Sequence, residues 1–391
     1  MKSLLRKDVE NFKDELIEIR KYFHQHPELG LEEFKTSKKI YELLTSWGVE
    51  AEYLSETGVV GIIKGDNPGK TIALRADIDA LPIEEMTGLE FSSKHKHKMH
   101  ACGHDGHITI CLGAAKILSK YKEKLNGNVK FIFQPAEEGP GGAEMLIEKG
   151  VLKNPDVDAI LGLHIWPELP KNSIGITGGP IMAAADRFDI EVIGKGGHGA
   201  IPQLSVDPIY AASQLVTTLQ SIVSRETSPL DSIVLSNCTF HGGDAFNIIP
   251  NNVKISGTTR YHNPDFSETL PKRIEEIVKG VCSTMRCDYE FKYSHWYPVT
   301  LNDKDFSKFF KDSAKDVLGD DNVVEIEKPS MGAEDFSFFL EKIPGTYFFL
   351  GTRDEENGLD KPIHHPEYYF SEDILPTGVE LFCNAVLNYL S

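Results

Sequence analysis

Between residues 59 and 164, strand-length apolar runs alternate with helical periods, and each run ends at a polar cluster. Val59–Lys64 and Thr71–Arg75 read as strands separated by a turn at Asn67-Pro68-Gly69. Ile108–Leu125 reads as a buried helix, Val129–Phe133 as a strand, Gly142–Lys149 as a helix and Ala159–His164 as a strand. Strands that alternate with helices form a largely parallel sheet covered on both faces. In such a sheet reactive side chains gather where strands end and loops begin. Asp77, Asp79, Gln134 to Glu138 and His164 all sit at such ends.

Upstream, Val9, Phe12, Leu16, Ile19 and Phe23 recur at three and four, which predicts one helix ending before Pro27. A second helix is expected from Glu32 to Trp47, closed by Gly48. From Asp186 the pattern changes. Phe188–Ile193, Pro208–Arg225, Ser232–Phe240, Val253–Tyr261, Glu268–Met285 and Tyr289–His295 read as β-α-β-β-α-β, the ferredoxin-like order. Phe306–Leu318 and Leu375–Leu390 then return to helical periods. The expected architecture is an α/β catalytic domain (1–184 and 299–391) with a mostly parallel sheet, interrupted by an inserted ferredoxin-like α+β lid or dimerisation domain (185–298).

Lys+Arg total 41 against Asp+Glu 59, a net charge of −18 in 391 residues. That balance argues against nucleic acid or an anionic membrane as partner, because both need a basic footprint. No apolar run reaches the roughly 20 residues of a membrane helix, and the first 30 residues show no signal-peptide pattern. Six cysteines without a scaffold rhythm read as thiols in a reducing compartment, with the cytoplasm as the expectation.

The densest chemical signal is Met99-His100-Ala101-Cys102-Gly103-His104-Asp105-Gly106-His107. Thiolate and imidazole are preferred by borderline-soft divalent metals, and a glycine between two ligands lets both reach one centre. Glu137 and Glu138 follow a strand directly; adjacent carboxylates there need a cation, one ligating it and the other staying free as a base. An exposed acidic loop is the plainer reading of that pair alone. His164 ends a strand, where a lone histidine is usually a satisfied core residue. Ile363-His364-His365-Pro366 adds imidazoles near the C-terminus.

This combination resembles the M20 metallopeptidase family, in its amidohydrolase branch of hippurate hydrolases, N-acyl-amino-acid deacylases and auxin-conjugate hydrolases. The resemblance is carried by His24 to Gly30, Arg75 to Pro82, Met99 to His104, Gln134 to Gly139, Gly197-His198-Gly199, Gly332 to Phe336 and His364-His365-Pro366. It implies Cys102, His104, Glu138, His164 and His364 as metal ligands, and Glu137 as catalytic base. His365 is the lesser candidate, since the family's ligand lies two residues before the proline. Asp77 or Asp79 matches the aspartate that orients a metal ligand, and the motif leaves the choice open. Most relatives carry a bridging aspartate where this chain has Cys102; the softer ligand leaves zinc, manganese, cobalt and nickel open.

In the inserted domain His198 matches a histidine that binds the reacting carbonyl, often across a dimer, while Asn247 and Arg260 are further candidates for substrate contact. Arg260 reads equally well as a strand-end salt bridge. The resemblance therefore implies two divalent metal ions per chain, a homodimer formed through the inserted domain, and hydrolysis of the amide bond of small N-acyl amino acids. N-acetyl-diaminopimelate deacetylase, and a metallo-carboxypeptidase or dipeptidase, are the enzymatic rivals. A non-catalytic binding protein is disfavoured because Glu137 and every expected ligand are present.

Overall fold

A computed structural model describes residues 2–391 and divides them into two compact units. Unit 1 holds the chain up to Ile181 with Leu301–Lys328 and Asp335–Ser391; unit 2 holds Met182–Thr300 and Pro329–Glu334.

Unit 1 begins with helices α1 (Lys2–Glu10), α2 (Lys13–Gln25) and α3 (Phe34–Ser46), followed by strands β1 (Glu50–Tyr53), β2 (Val59–Lys64) and β3 (Asn67–Asp77). The single N-terminal helix expected from the apolar period is thus two, broken at Asn11-Phe12. Val9 and Phe12 are nevertheless both buried, and Phe12 meets Trp47 edge-on with ring centroids 6.0 Å apart. The period reports which face is buried, and that face runs on through the break.

The chain reverses at Gly65-Asp66, and Asn67-Pro68-Gly69 opens β3 instead of forming the expected turn. The β3–β4 register shifts between Asn67 and Lys70, and a Cβ on Gly69 would lie 2.0 Å from the Asn126 carbonyl oxygen. Glycine and proline here mark a bulge with two backbones in close approach.

Next come α4 (His104–Ser119), β4 (Asn126–Gln134), α5 (Ala143–Glu148), β5 (Ala159–Pro170), β6 (Ile174–Ile176) and the short β7 (Pro180–Met182). Within β4, Lys130 is buried, and its ammonium donates to the carbonyls of Val151 (2.9 Å), Lys153 (2.7 Å) and Pro155 (3.1 Å). Burial pushes its pKa down to about 8.

Unit 2 contains β8 (Ala184–Ile193), β9 (Gly197–His198), α6 (Pro208–Ser221), β10 (Ile233–His241), β11 (Ile248–Ile249), β12 (Asn252–Tyr261), α7 (Phe266–Met285) and β13 (Asp288–Tyr297). Its four-stranded sheet has the order β10-β12-β8-β13 and is antiparallel throughout, as the ferredoxin-like reading requires. Phe188, Ile190 and Val192 point into a core shared with α6 and α7, while Arg187, Asp189 and Glu191 alternate onto the other face. Asp207 caps α6, accepting from the N–H groups of Ile209 and Tyr210.

After β14 (Thr300–Leu301) the chain supplies α8 (Lys304–Leu318), β15 (Val323–Glu325), α9 (Ser337–Leu340), β16 (Gly345–Arg353) and α10 (Ile374–Tyr389). The sheet of unit 1 has eight strands in the order β1-β2-β4-β3-β5-β16-β6-β15. Its centre, β4-β3-β5-β16, is parallel; β1, β2 and the β16–β6 contact are antiparallel. Parallel pairing brings the C-terminal ends of β3, β4 and β5 to one edge. Helix α4 is buried almost all round, packed against the sheet with α2 and α10, so its first turn is held rigidly at that edge.

Candidate metal centre

Four segments converge on the edge: the end of β3 with Asp77 and Asp79, the loop after β4 with Glu137 and Glu138, His164 in β5, and the first turn of α4. Gly103, at φ +86°, turns the chain into α4 between Cys102 and His104. His364 joins from a loop before α10, its backbone N–H donating to the Ala101 carbonyl at 2.8 Å.

Cys102 belongs to two groups of potential ligand atoms, one with His104 and His164 and one with Glu138 and His364. In each group the atoms lie within 4.8 Å of one another. Cys102 Sγ is 3.3 Å from His164 Nε2, and His364 Nε2 is 3.0 Å from Glu138 Oε1. His104 donates Nδ1–H to the Asp79 carbonyl at 2.8 Å, and His164 donates Nδ1–H to the Ile165 carbonyl at 2.7 Å. Each ring's Nδ1 is thereby committed to a carbonyl, which leaves Nε2 as the nitrogen on the thiol's side and the one a metal ion would take. His104 Nε2 is buried with no hydrogen-bond partner, an expense a cation would relieve.

The charges agree with that fit. Burial disfavours the imidazolium of His104, but Asp77, Asp79 and Glu138 push its pKa up to about 10. Burial, and then Glu138 and Glu137, hold the Cys102 thiol far above its ordinary pKa. A negative pocket that keeps its thiol protonated is one where a divalent cation reverses the balance and leaves thiolate. Sulfur, imidazole and carboxylate donors in two sets sharing one atom fit two divalent transition-metal ions.

His107 lies in the same histidine run and does a different job. It donates Nδ1–H to Asp77 Oδ1 (2.6 Å) and accepts the Ile165 N–H at Nε2 (2.9 Å), so neither nitrogen is left for a metal. Asp77 also accepts from Arg75 at 2.7 Å, whereas Asp79 lies 3.3 Å from His104 Nδ1 and accepts the Glu138 N–H at 2.9 Å. Of the two aspartates, Asp79 is the one that touches both His104 and the peptide of Glu138.

A second buried network stands behind the site. Arg75 bonds Gln134, Asp77 and Asp335, and Asp335 accepts from Gln134 and from the N–H groups of Gly142 and Ala143. It ties both ends of the loop carrying Glu137 and Glu138 to the sheet. Arg75→Leu would strip the guanidinium from two buried carboxylates, Asp77 and Asp335, so unit 1 should lose about 3–5 kcal/mol of stability. Denaturant unfolding of the metal-free protein measures this, and a loss below about 1 kcal/mol, the scale of an exposed pair, would refute it.

At the far side of α4's first turn, Asp105 accepts from Arg20 (3.0 Å) and His24 (2.9 Å), with Glu85 on the other nitrogen of His24 at 3.1 Å. Burial opposes the imidazolium, but Asp105 and Glu85 push the pKa of His24 up to about 9. The role of His24 is to anchor the turn that holds His104.

Three sequence candidates lie in unit 2. His198 on β9 pairs with Ile248 and accepts the Ala200 N–H at 3.0 Å; Asn247 accepts the Gly199 N–H on its carbonyl at 2.9 Å. Both side chains are exposed, and Arg260 stands apart on β12, opposite Ala185.

Fold and site together define a metal-dependent hydrolase of the α/β class. Residues 73–388 match the model of Peptidase family M20/M25/M40, and the chain belongs to that family. It is 43% identical over 385 residues to the IAA-amino acid hydrolase ILR1-like 4 of Arabidopsis thaliana, covering 97% of this chain and 87% of that one. It is 40% identical over 373 residues to the N-acetylcysteine deacetylase of Bacillus subtilis (strain 168), covering 95% and 96%. Among solved structures, the Bacillus subtilis YXEP protein, a dinuclear metal-binding peptidase of the M20 family, superposes with a TM-score of 0.84. It is 35% identical, with 97% of this chain and 99% of that one covered. The chain is an enzyme that hydrolyses amide bonds.

Proposed function

We propose that this enzyme hydrolyses the amide bond of N-acyl amino acids, releasing a carboxylic acid and a free amino acid. The observation that carries this reading is the pair of ligand groups sharing Cys102, with Glu137 one residue from Glu138. In this reading Cys102, His104 and His164 hold one divalent ion, and Cys102, Glu138 and His364 hold the other; zinc, manganese, cobalt and nickel all suit the donors. Bound there, the ions would polarise the carbonyl and make water acidic enough to attack at neutral pH.

The remaining steps belong to the chain. Glu137 takes the proton of the attacking water and returns it to the leaving nitrogen, so the free amine departs without negative charge. Asp79 keeps His104 in its ligand tautomer and fixes the Glu138 peptide; Asp77 acts one layer further out through His107. His198, Asn247 and Arg260 are assigned to substrate contact, with His198 donating to the carbonyl oxygen. Exposed Ile201, Leu204, Tyr210 and Phe246 support a homodimer through unit 2. No described helix is long and apolar enough to cross a membrane, and a cytoplasmic location is the proposed one.

The substrate class is tested with metal-reconstituted enzyme and a panel of N-acetyl amino acids, N-benzoyl amino acids and dipeptides. N-acyl amino acids should exceed free dipeptides in kcat/KM by at least about tenfold, equivalent to 1.4 kcal/mol of transition-state discrimination. A reversed preference would make the enzyme a peptidase.

A further inference from the structure

Glu33 is fully buried at the start of α3, yet its side chain makes no capping hydrogen bond to that helix. The N-terminal amides of α3 are capped instead by Glu28, which accepts from the N–H groups of Lys35 and Thr36 at 2.8 Å. Glu33 Oε1 accepts the backbone N–H of Ala136 at 2.8 Å, across 103 residues of sequence, and Oε2 has no hydrogen-bond partner. Burying a carboxyl group with one oxygen unused is costly, and an apolar side chain would fill the same space at less expense. What an acceptor supplies is the 2.8 Å bond to Ala136, beside weaker electrostatic contacts with the backbone N–H groups of Leu31 and of Glu33 itself.

Ala136 is where the chain needs such a bond. Its φ is +57°, the left-handed region that disfavours a residue with a Cβ. Glu137 follows immediately, so the torsion of Ala136 sets the direction in which the Glu137 side chain leaves the loop. On the other side of Glu137, the Glu138 N–H is held by Asp79. The loop is thus gripped before and after Glu137 by carboxylates on separate segments. Gly30 closes the contact from a third side: a Cβ there would lie 3.1 Å from Ala136 Cα.

We propose that Glu33 is a positioning residue for catalysis, holding Ala136 in its left-handed conformation so that Glu137 is aimed at the substrate. The inference rests on the reading of Glu137 as the base. The two fail separately, because an active Glu137→Gln variant would remove the base whatever Glu33 does.

The test uses the metal-reconstituted enzyme and an N-acetyl amino acid. Glu33→Gln keeps an acceptor oxygen and should stay within about threefold of wild type, since a neutral acceptor can serve the same N–H. Glu33→Leu should lower kcat by about tenfold or more, the scale of a misaimed reacting group, with KM and metal content unchanged. Ala136→Gly removes the left-handed penalty and should recover about tenfold of kcat in the Glu33→Leu background while changing the wild-type background little. In the metal-free protein the same glycine should raise the melting temperature of Glu33→Leu more than that of wild type.

If Glu33→Leu does not fold, Gly30→Ala displaces the same peptide with Glu33 intact and should also depress kcat at constant KM. Wild-type kcat in Glu33→Leu or in Gly30→Ala overturns the proposal. So does a Glu33→Leu defect that Ala136→Gly leaves untouched, or an equal defect in Glu33→Gln.

Discussion

Glu137→Gln is expected to bind its two metal ions normally and to turn over N-acyl amino acids about 10²- to 10⁴-fold more slowly, the range for losing a general acid–base group. The substitution keeps the shape of a side chain only 6% exposed and removes its ability to accept water's proton. Glu138 shares a ligand group with Cys102 and His364, whereas Glu137 groups with His104 and Glu138 but not with Cys102. In the proposed reading Glu137 is the base and not a ligand, so metal content should not follow activity down. The loss should fall on kcat more than on KM, because the proton moves only in the transition state. Elemental analysis beside steady-state kinetics separates the two. Retention of a tenth of wild-type turnover would remove Glu137 from the base role.

Cys102→Ala is expected to strip the centre rather than slow it. Cys102 is the one atom donor common to both ligand groups, so its loss leaves each ion with an imidazole pair or with Glu138 and His364. Neither remnant offers a soft anion. Occupancy after dialysis should fall well below two ions per chain, and the two should be lost together. Ser should rescue little, since a buried hydroxyl is far harder to ionise than a thiol. Two ions per chain surviving in Cys102→Ala would take the cysteine off the ligand list.

The alternation of apolar runs made the central sheet legible, and the β-α-β-β-α-β order of unit 2 could be read element by element because its helices and outer strands are amphipathic. The strands that escaped notice have physical reasons. β6 and β15 are three residues long, too short for any period to register. β16 is buried on both faces at Tyr347–Leu350, and such a run has no alternation to distinguish it from a piece of helix.

At the site, residues that differ chemically from their surroundings stood out: a thiol and imidazoles at a strand–helix turn, paired glutamates after a strand. Residues that act by holding others did not. His107 looks in sequence like one more histidine of the run; only the Ile165 N–H on its Nε2 shows that it is occupied. Glu33 and Ala136 are 103 residues apart, and Arg75 and Asp335 260 apart. Their partnership is a product of topology, which no local pattern encodes. The choice between Asp77 and Asp79 stayed open for the same reason, since it depends on which carboxylate faces His104 and the Glu138 peptide.

Lys130 has a consequence for chemical reactivity. Its pKa, pushed down to about 8, is itself a product of burial, so the enclosure that makes the neutral amine easier to form near neutral pH also hides it. Here all three of its hydrogens are committed to the carbonyls of Val151, Lys153 and Pro155, and the side chain is 2% exposed. Intrinsic reactivity and access are therefore set against each other. Acylating reagents and modifying enzymes that survey the folded surface meet exposed lysines such as Lys38 and Lys64 and pass this one by. It becomes available only when β4 separates from the turn at 151–155, which makes Lys130 a built-in reporter of the sheet's opening.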